Sequence, residues 1–587
     1  MSRQRTFRLF GVVVILALLA VVSMRIYSRK GAAPAVQGPQ HRATEDATTR
    51  GAASEREVGA RTSPGEPEQG GCLTIRIVGA PNAINPVIST ANVEFQVENL
   101  VFDGFINISP DMNPVPSEAG TVTPSEDHKV YTIRLSPEGK WQDGRPVTAD
   151  DVLFFYEMIQ DPKNGAQAQQ DNFAVIDHVQ KIDALTVKVY LKEPVPTGMW
   201  KASLGLMPRH AVQAEMEEFK REGKVWDIRS SKLNRYPIGN GSYRLVDWEQ
   251  PDTLILERWE EYPFTKPYLK RIIFKVIPEE TAALNAVRAG EIDCIPQMSA
   301  WAFSEGTGDA PFTDMCRKMK SPTLNYTSIL WNMNGSNPFF EDRRVRRALA
   351  MSVDLQTIIR TLGKDLSVRA NGPWSPSLWC HDPGVKPLAY DPGAAMALLD
   401  QAGWKDVDGD GIREKDGIPF AFDLLAFQDR TVIDILTAAT DYMKKVGVRP
   451  TLRPLEAATY IERLQESDFQ AAYLAWTVGV DPDYQYNVWH SSQYGRGRNF
   501  ADYRNAQVDA LFEEGRRTFD PAERKRIYQK IQRILYEDQA CFFLYYLPHR
   551  FAIHRRFNGV TLSAFDPFLT YPGVFSWWVP KREQKCR

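Results

Sequence analysis

The sequence predicts an α/β body with mixed sheets, divided among two or three domains. Three observations carry this. The chain has 587 residues, more than a single hydrophobic core usually serves. Segments that alternate with period two gather in its first half, and segments of helical period gather later. Strands and helices do not alternate strictly, so a purely parallel sheet is not expected.

The strand segments come first. Leu73 to Val78, Val130 to Leu135 and Thr186 to Leu191 each alternate apolar and polar residues. Tyr243 to Val246 and Leu254 to Glu257 flank a turn holding Pro251-Asp252 and read as a hairpin, and Arg271 to Val276 is a further strand. Between them, Trp141-Gln142-Asp143-Gly144 makes a tight Asp-Gly turn, and Thr148 with Asp151 forms a capping box for the helix that follows. In the later helices Asp391 caps, Pro392 takes the first turn, and Gly403 ends the helix after Ala402. Asp520-Pro521 opens another, with Ile527, Ile531, Ile534 and Leu535 as its apolar stripe. No internal repeat is present.

The termini speak for export. Arg3, Arg5 and Arg8 precede an apolar run from Leu9 to Met24, and Arg25, Arg29 and Lys30 follow it. The run is longer than most signal cores and slightly short of the roughly 20 residues of a spanning helix. Residues 1–30 read as an uncleaved membrane anchor, with a cleaved signal as the alternative; both send the body out of the cytoplasm. Residues 31–71 nearly lack large apolar side chains and read as a flexible linker. Cys72 after Gly70-Gly71 resembles a lipoprotein acceptor site, a reading rejected because the apolar run lies too far upstream. The net charge of −2 gives no electrostatic case for nucleic acid as a partner.

No catalytic set emerges. A Gly-x-Ser-x-Gly elbow, a His-Glu-x-x-His pair and a phosphate loop ending in Lys-Ser/Thr are all missing, so no enzyme and no cofactor is expected. His549 and His554 are the closest pair of histidines and read as surface or satisfied groups. Asp406, Asp408 and Asp410 alternate as at the start of a calcium loop. Position twelve of that loop would be Gly417 rather than the closing Glu, so an acid-rich hairpin is the preferred reading and a cation site the weaker one. Of the six cysteines, Cys541 lies in an apolar run and reads as a buried thiol. A core strand from Gln470 to Leu474 leads into the polar, aromatic loop Ala475 to Tyr486, a usual setting for a ligand.

Five segments in order resemble the family 5 extracellular solute-binding proteins, the capturing subunits of peptide-type ABC importers. They are Trp141 to Val152, Pro237-Ile238-Gly239-Asn240-Gly241-Ser242-Tyr243, Ala289-Gly290-Glu291-Ile292-Asp293, Phe340 to Leu349, and Tyr390-Asp391-Pro392 through Gly403-Trp404. The resemblance covers roughly Leu73 to Trp578. It implies a two-lobed periplasmic-binding-protein clamp of the class II type with an extra inserted subdomain. Lobe I would combine 72–107, 206–305 and 545–587; the insert would be 108–205 and lobe II 306–544. Both termini then belong to one lobe, which leaves a Cys72–Cys586 bridge open beside a Cys294–Cys316 one.

The resemblance also implies the ligand residues and the role. Asn85, Ser89 and Thr90 would face the loop residues Trp476, Asp481, Asp483 and Tyr484, with Asn332 at site or hinge and Trp374 as an aromatic wall. The protein would capture a peptide or peptide-like solute by closing its lobes and pass it to ABC permease subunits, at the outer face of the cytoplasmic membrane. An oligosaccharide or metal-chelate binder, an anchored sensor and, remotely, an extracytoplasmic hydrolase are the alternatives. In several peptide-binding relatives an Asp three residues after the loop Trp pairs with the peptide ammonium. Here that position is Gly479, with Asp481 and Asp483 as the acids nearest to replace it.

Overall fold

The computed structural model describes residues 65–248 and 252–586. The anchor-or-signal segment, most of the linker and Pro251 of the expected hairpin turn lie outside the described residues. Among the described residues no helix is long and apolar enough to cross a membrane.

One mixed sheet of eleven strands runs through the molecule. Ten strands follow one another from edge to edge: 449–455, 421–427, 471–476, 316–331, 541–554, 294–295, 72–77, 271–276, 253–258 and 243–247. Val368–Arg369 also pairs with Cys541–His554. Parallel pairs (72–77 with 271–276, 421–427 with 449–455) coexist with antiparallel ones, as the mixed pattern predicts. Two long strands, Cys316–Trp331 and Cys541–His554, join the halves of the sheet. Their ladder is regular from Cys316↔His554 to Pro322↔Pro548, then shifts register on either side of Tyr326. A ladder broken there can bend there. The strand 316–331 was not legible as one element, because its first half, Cys316-Arg317-Lys318-Met319-Lys320, is polar.

Apolar burial gathers around this sheet in separate clusters. One holds residues between 324 and 564 together with Met112. A second lies between Val87 and Ile228 and covers the four-stranded sheet of 120–124, 130–135, 186–191 and 176–181. A third joins Leu73, Ile75, Leu100, Leu254, Phe274, Phe551 and Trp577.

The motifs turn out to be joints between these parts. Gln142 donates its backbone N–H to Gly239 O at 2.8 Å, and its side-chain amide to Gly241 O and Tyr243 O at 3.1 and 2.8 Å. The first motif thus grips the second. A Cβ on Gly239 would lie 1.9 Å from Val101 O, which is why glycine stands there. Asp293 accepts from Thr74 N–H at 3.0 Å and pairs with buried Arg556 at 2.7 Å. Asp342 caps the helix Arg343–Met351. Arg346 of that helix turns inward and donates to the carbonyls of Phe340, Glu341, Asp538 and Gln539.

Cys72 and Cys586 form a disulfide. Cys294, Cys316, Cys380 and Cys541 are buried thiols.

Candidate functional site

The strand Ala471–Trp476 pairs with Cys316–Trp331 and ends with Trp476 opposite Tyr326, where the neighbouring ladder shifts register. Trp476 is buried, stacks with Tyr326 and Phe500, and donates its indole N–H to Ser328 Oγ at 3.2 Å. After it the chain turns polar. Asp481 caps a short 3-10 turn by accepting from Asp483 N–H at 2.9 Å. Its two oxygens also take a fork from Arg524, at 2.7 and 2.8 Å. Bidentate pairing of this kind fixes geometry as well as charge.

Asp483 is held more loosely. Arg516 Nε stands 3.4 Å away, and the Tyr528 hydroxyl donates at 3.4 Å. Burial pushes its carboxyl up to about 6, against the opposing pull of Arg516. Tyr484 is exposed, and Arg498 lies over its ring and donates to its hydroxyl at 3.0 Å.

The loop 82–91, expected to oppose it, is shaped by two carboxyl groups of the helix Asn92–Val101. Glu94 accepts from the N–H groups of Asn82, Thr90 and Ala91 at 2.9, 2.7 and 2.8 Å. Glu98 accepts from Asn85 N–H at 3.0 Å. The Asn85 side chain is buried; it donates to Asn234 Oδ1 at 2.8 Å and accepts from Val87 N–H. Ser89 is buried too and donates to Ala83 O, while Thr90 is exposed.

Asn332 is fully buried, and its amide donates to Ser467 O and Phe469 O at 2.9 and 2.7 Å, so it fastens backbone. Trp374 is buried edge-on to Tyr528, its indole N–H without a partner among the described residues. His549 and His554 share the strand 541–554 at an odd separation and point to opposite faces. Oxygens of Asp406, Asp408 and Glu414 lie within 4.8 Å of one another. Those carboxylates already cap N–H groups of their own loop, Gly409 and Gly411 on Asp406 and Val407 on Glu414, while Asp410 turns to Ile412 N–H. The segment closes as the hairpin of Glu414–Lys415 and Ile418–Pro419. Two surface concavities, of about 650 and 570 Å³, lie elsewhere, beside the disulfide and on the four-stranded sheet.

Sequence reasoning missed Glu94, Glu98, Arg516 and Arg524. A signal existed for three of them. Glu94 and Glu98 keep helical phase with Val97 and Val101, and Arg524 with Ile527 and Ile531. A charge on an apolar stripe marks an inward group with a partner to find.

Two long strands crossing between separately packed apolar clusters, with a register shift along their ladder, fit the frame of a two-lobed clamp. Comparison with known proteins gives the family. The model described as bacterial extracellular solute-binding proteins, family 5 Middle, matches residues 113–497, and the chain belongs to this family. Membership places the folded body outside the cytoplasm. The chain is 29% identical over 534 residues to the oligopeptide-binding protein AppA of Bacillus subtilis, covering 89% of this chain and 94% of that protein. It is 27% identical over 497 residues to protein XP55 of Streptomyces lividans, covering 83% and 86%. The structure of Bacillus subtilis AppA in complex with a nonapeptide superposes with a TM-score of 0.69 at 27% identity, over 88% of this chain and all of that one. Campylobacter jejuni NikZ in complex with Ni(L-His) gives 0.70 at 27%, over 86% and 99%.

Proposed function

We propose that this protein is the solute-binding subunit of an ABC-type importer and captures a peptide or peptide-like solute between its lobes. The near full-length match to an oligopeptide-binding protein carries this reading. The solute lies between the loop 82–91 and the loop 476–486. Closing the lobes removes water and strengthens the polar contacts that fix it. Of the residues expected at the site, Thr90 and Tyr484 are exposed; Asn85, Ser89, Trp374 and Trp476 are buried behind them, and Asn332 fastens backbone at the far end of the strand 471–476. An N-terminal anchor would keep the body at the membrane, beside its permease.

The loop favours a solute without a free ammonium at the usual place. Gly479 offers no carboxylate, and Asp481 is already committed to Arg524. A longer or blocked peptide fits this better than a short free one. The test is to purify the protein natively and identify the carried solute by mass spectrometry. Peptides of varied sequence are expected; a carried metal chelate or oligosaccharide would replace this reading by the one it names.

A further inference from the structure

The inserted segment does more than pack on the first lobe. Its strands Gly120–Pro124 and Val130–Leu135 form a hairpin, and His128 stands in the connection at φ +55°. The left-handed backbone there is one that His tolerates better than most side chains. Ser125 and Asp127 brace the turn: Ser125 Oγ donates to Asp127, and Lys129 N–H donates to the same carboxylate. So held, the His128 ring lies on the ring of Phe519, with centroids 4.2 Å apart and planes 23° from parallel. The two residues belong to separately packed parts, the hairpin to the four-stranded sheet and Phe519 to a connection between helices of the cluster that spans 324–564.

Phe519 sits between the helices Ala506–Gly515 and Pro521–Glu537. The same helix pair is tied to the candidate ligand loop twice, through Arg516 of the connection to Asp483 and through Arg524 of the second helix to Asp481. On its other flank the insert touches the loop 82–91, where Gln169 donates to Pro86 O at 3.4 Å. A further contact runs the same way. Met112, in the connection between Ile106–Ile108 and Pro114–Pro116, is 3% exposed in a cluster whose other buried members all lie between 324 and 564. Lys201 of the insert also feels the carboxylates of Asp483 and Asp481, which oppose the lowering of its pKa by burial.

We propose that the His128–Phe519 stack is a clasp by which the insert fastens onto the second lobe and favours closure before any solute arrives. The clasp links both candidate ligand loops through one body, so breaking it loosens both. Its effect on closure rests on the clamp reading; the contact itself does not.

The test therefore uses hydrogen exchange on the full chain without solute, read across the contact. An aromatic stack of this kind is worth roughly two- to twelve-fold in an equilibrium. His128→Ala should speed exchange at residues 516–521 by about that factor, and Phe519→Ala should do so at 124–130. Phe519→Tyr, which keeps a ring where the backbone is not left-handed, should retain protection. Unchanged exchange at the segment opposite each substitution would overturn the clasp, whatever the solute proves to be. Unchanged thermal unfolding of the variants confirms that the fold is intact; if one variant fails to fold, the other and Phe519→Tyr decide.

Discussion

Asp481 and Asp483 stand two residues apart and do different work. Asp481 is paired and capped, with its side chain 18% exposed and that of Arg524 8%. Removing one member of such a pair leaves a buried charge unanswered, at a cost of about 3–5 kcal/mol. Asp481→Asn should therefore lower the unfolding free energy from denaturant titration by that amount. It should leave the ratio of affinities for matched free and N-acetylated peptides unchanged in calorimetry; a ratio that collapses would make Asp481 an ammonium partner after all. Glu98 gives a second residue-scale test. Burial raises its carboxyl to about 8, with Glu94 adding to the rise and the Ser89 hydroxyl and Asn85 N–H opposing it. An acid with a raised folded pKa binds more protons folded than unfolded, so stability falls as pH climbs from about 4.5 to about 8. Each unit of displacement is worth about 1.4 kcal/mol. Glu98→Gln should match the wild type near pH 4 and exceed it above pH 8. Parallel stability profiles of the two proteins across that range would show that Glu98 is not the group responsible.

At the scale of elements, the segments that disclose the family are those that join one part of the chain to another. Gln142 binds the turn 239–243 through four hydrogen bonds: its own N–H, two from its amide, and one that Gly239 N–H donates to its Oε1 at 3.2 Å. Gln142→Ala removes three and leaves buried carbonyls unpaired, so a loss of roughly 1–3 kcal/mol is expected by chemical denaturation. A change within 0.3 kcal/mol would mean the joint is redundant. This also explains what could be read beforehand. Val130–Leu135, Thr186–Leu191 and Arg271–Val276 appear at their expected residues because period-two alternation survives wherever one face of a strand is buried. The capping of Pro392–Gln401 and Pro521–Glu537 was legible because caps are local chemistry. The ligand loop was harder. Asp481 reads as an available carboxylate until a partner forty-three residues away is placed beside it. Asn85 and Ser89 look like exposed polar loop residues until the carboxylate of Glu98 is seen beneath them. Local signals carry no information on such distant partners.

The whole molecule depends on two strands. Cys316–Trp331 and Cys541–His554 carry the main sheet from one half to the other, and their regular ladder ends at Pro322↔Pro548, between Met319 and Phe551 of one apolar cluster and Leu324 and Tyr546 of another. Hinges of this kind absorb a rotation in a few residues while each packed body stays rigid. In the proposed site, a solute between the loops 82–91 and 476–486 would make its contacts only when both bodies meet, so binding would shift the population toward the closed form. The expected outcome is a smaller radius of gyration in solution scattering when the co-purified solute is present than after its removal. The contraction should be modest for the wild type, because the His128–Phe519 contact already draws the insert onto the second lobe. It should be larger for Phe519→Ala, whose solute-free form is free to open while its solute-bound form is still drawn together by the ligand. Superimposable scattering curves with and without solute, in both proteins, would remove closure as the mechanism and leave a preformed cleft in its place.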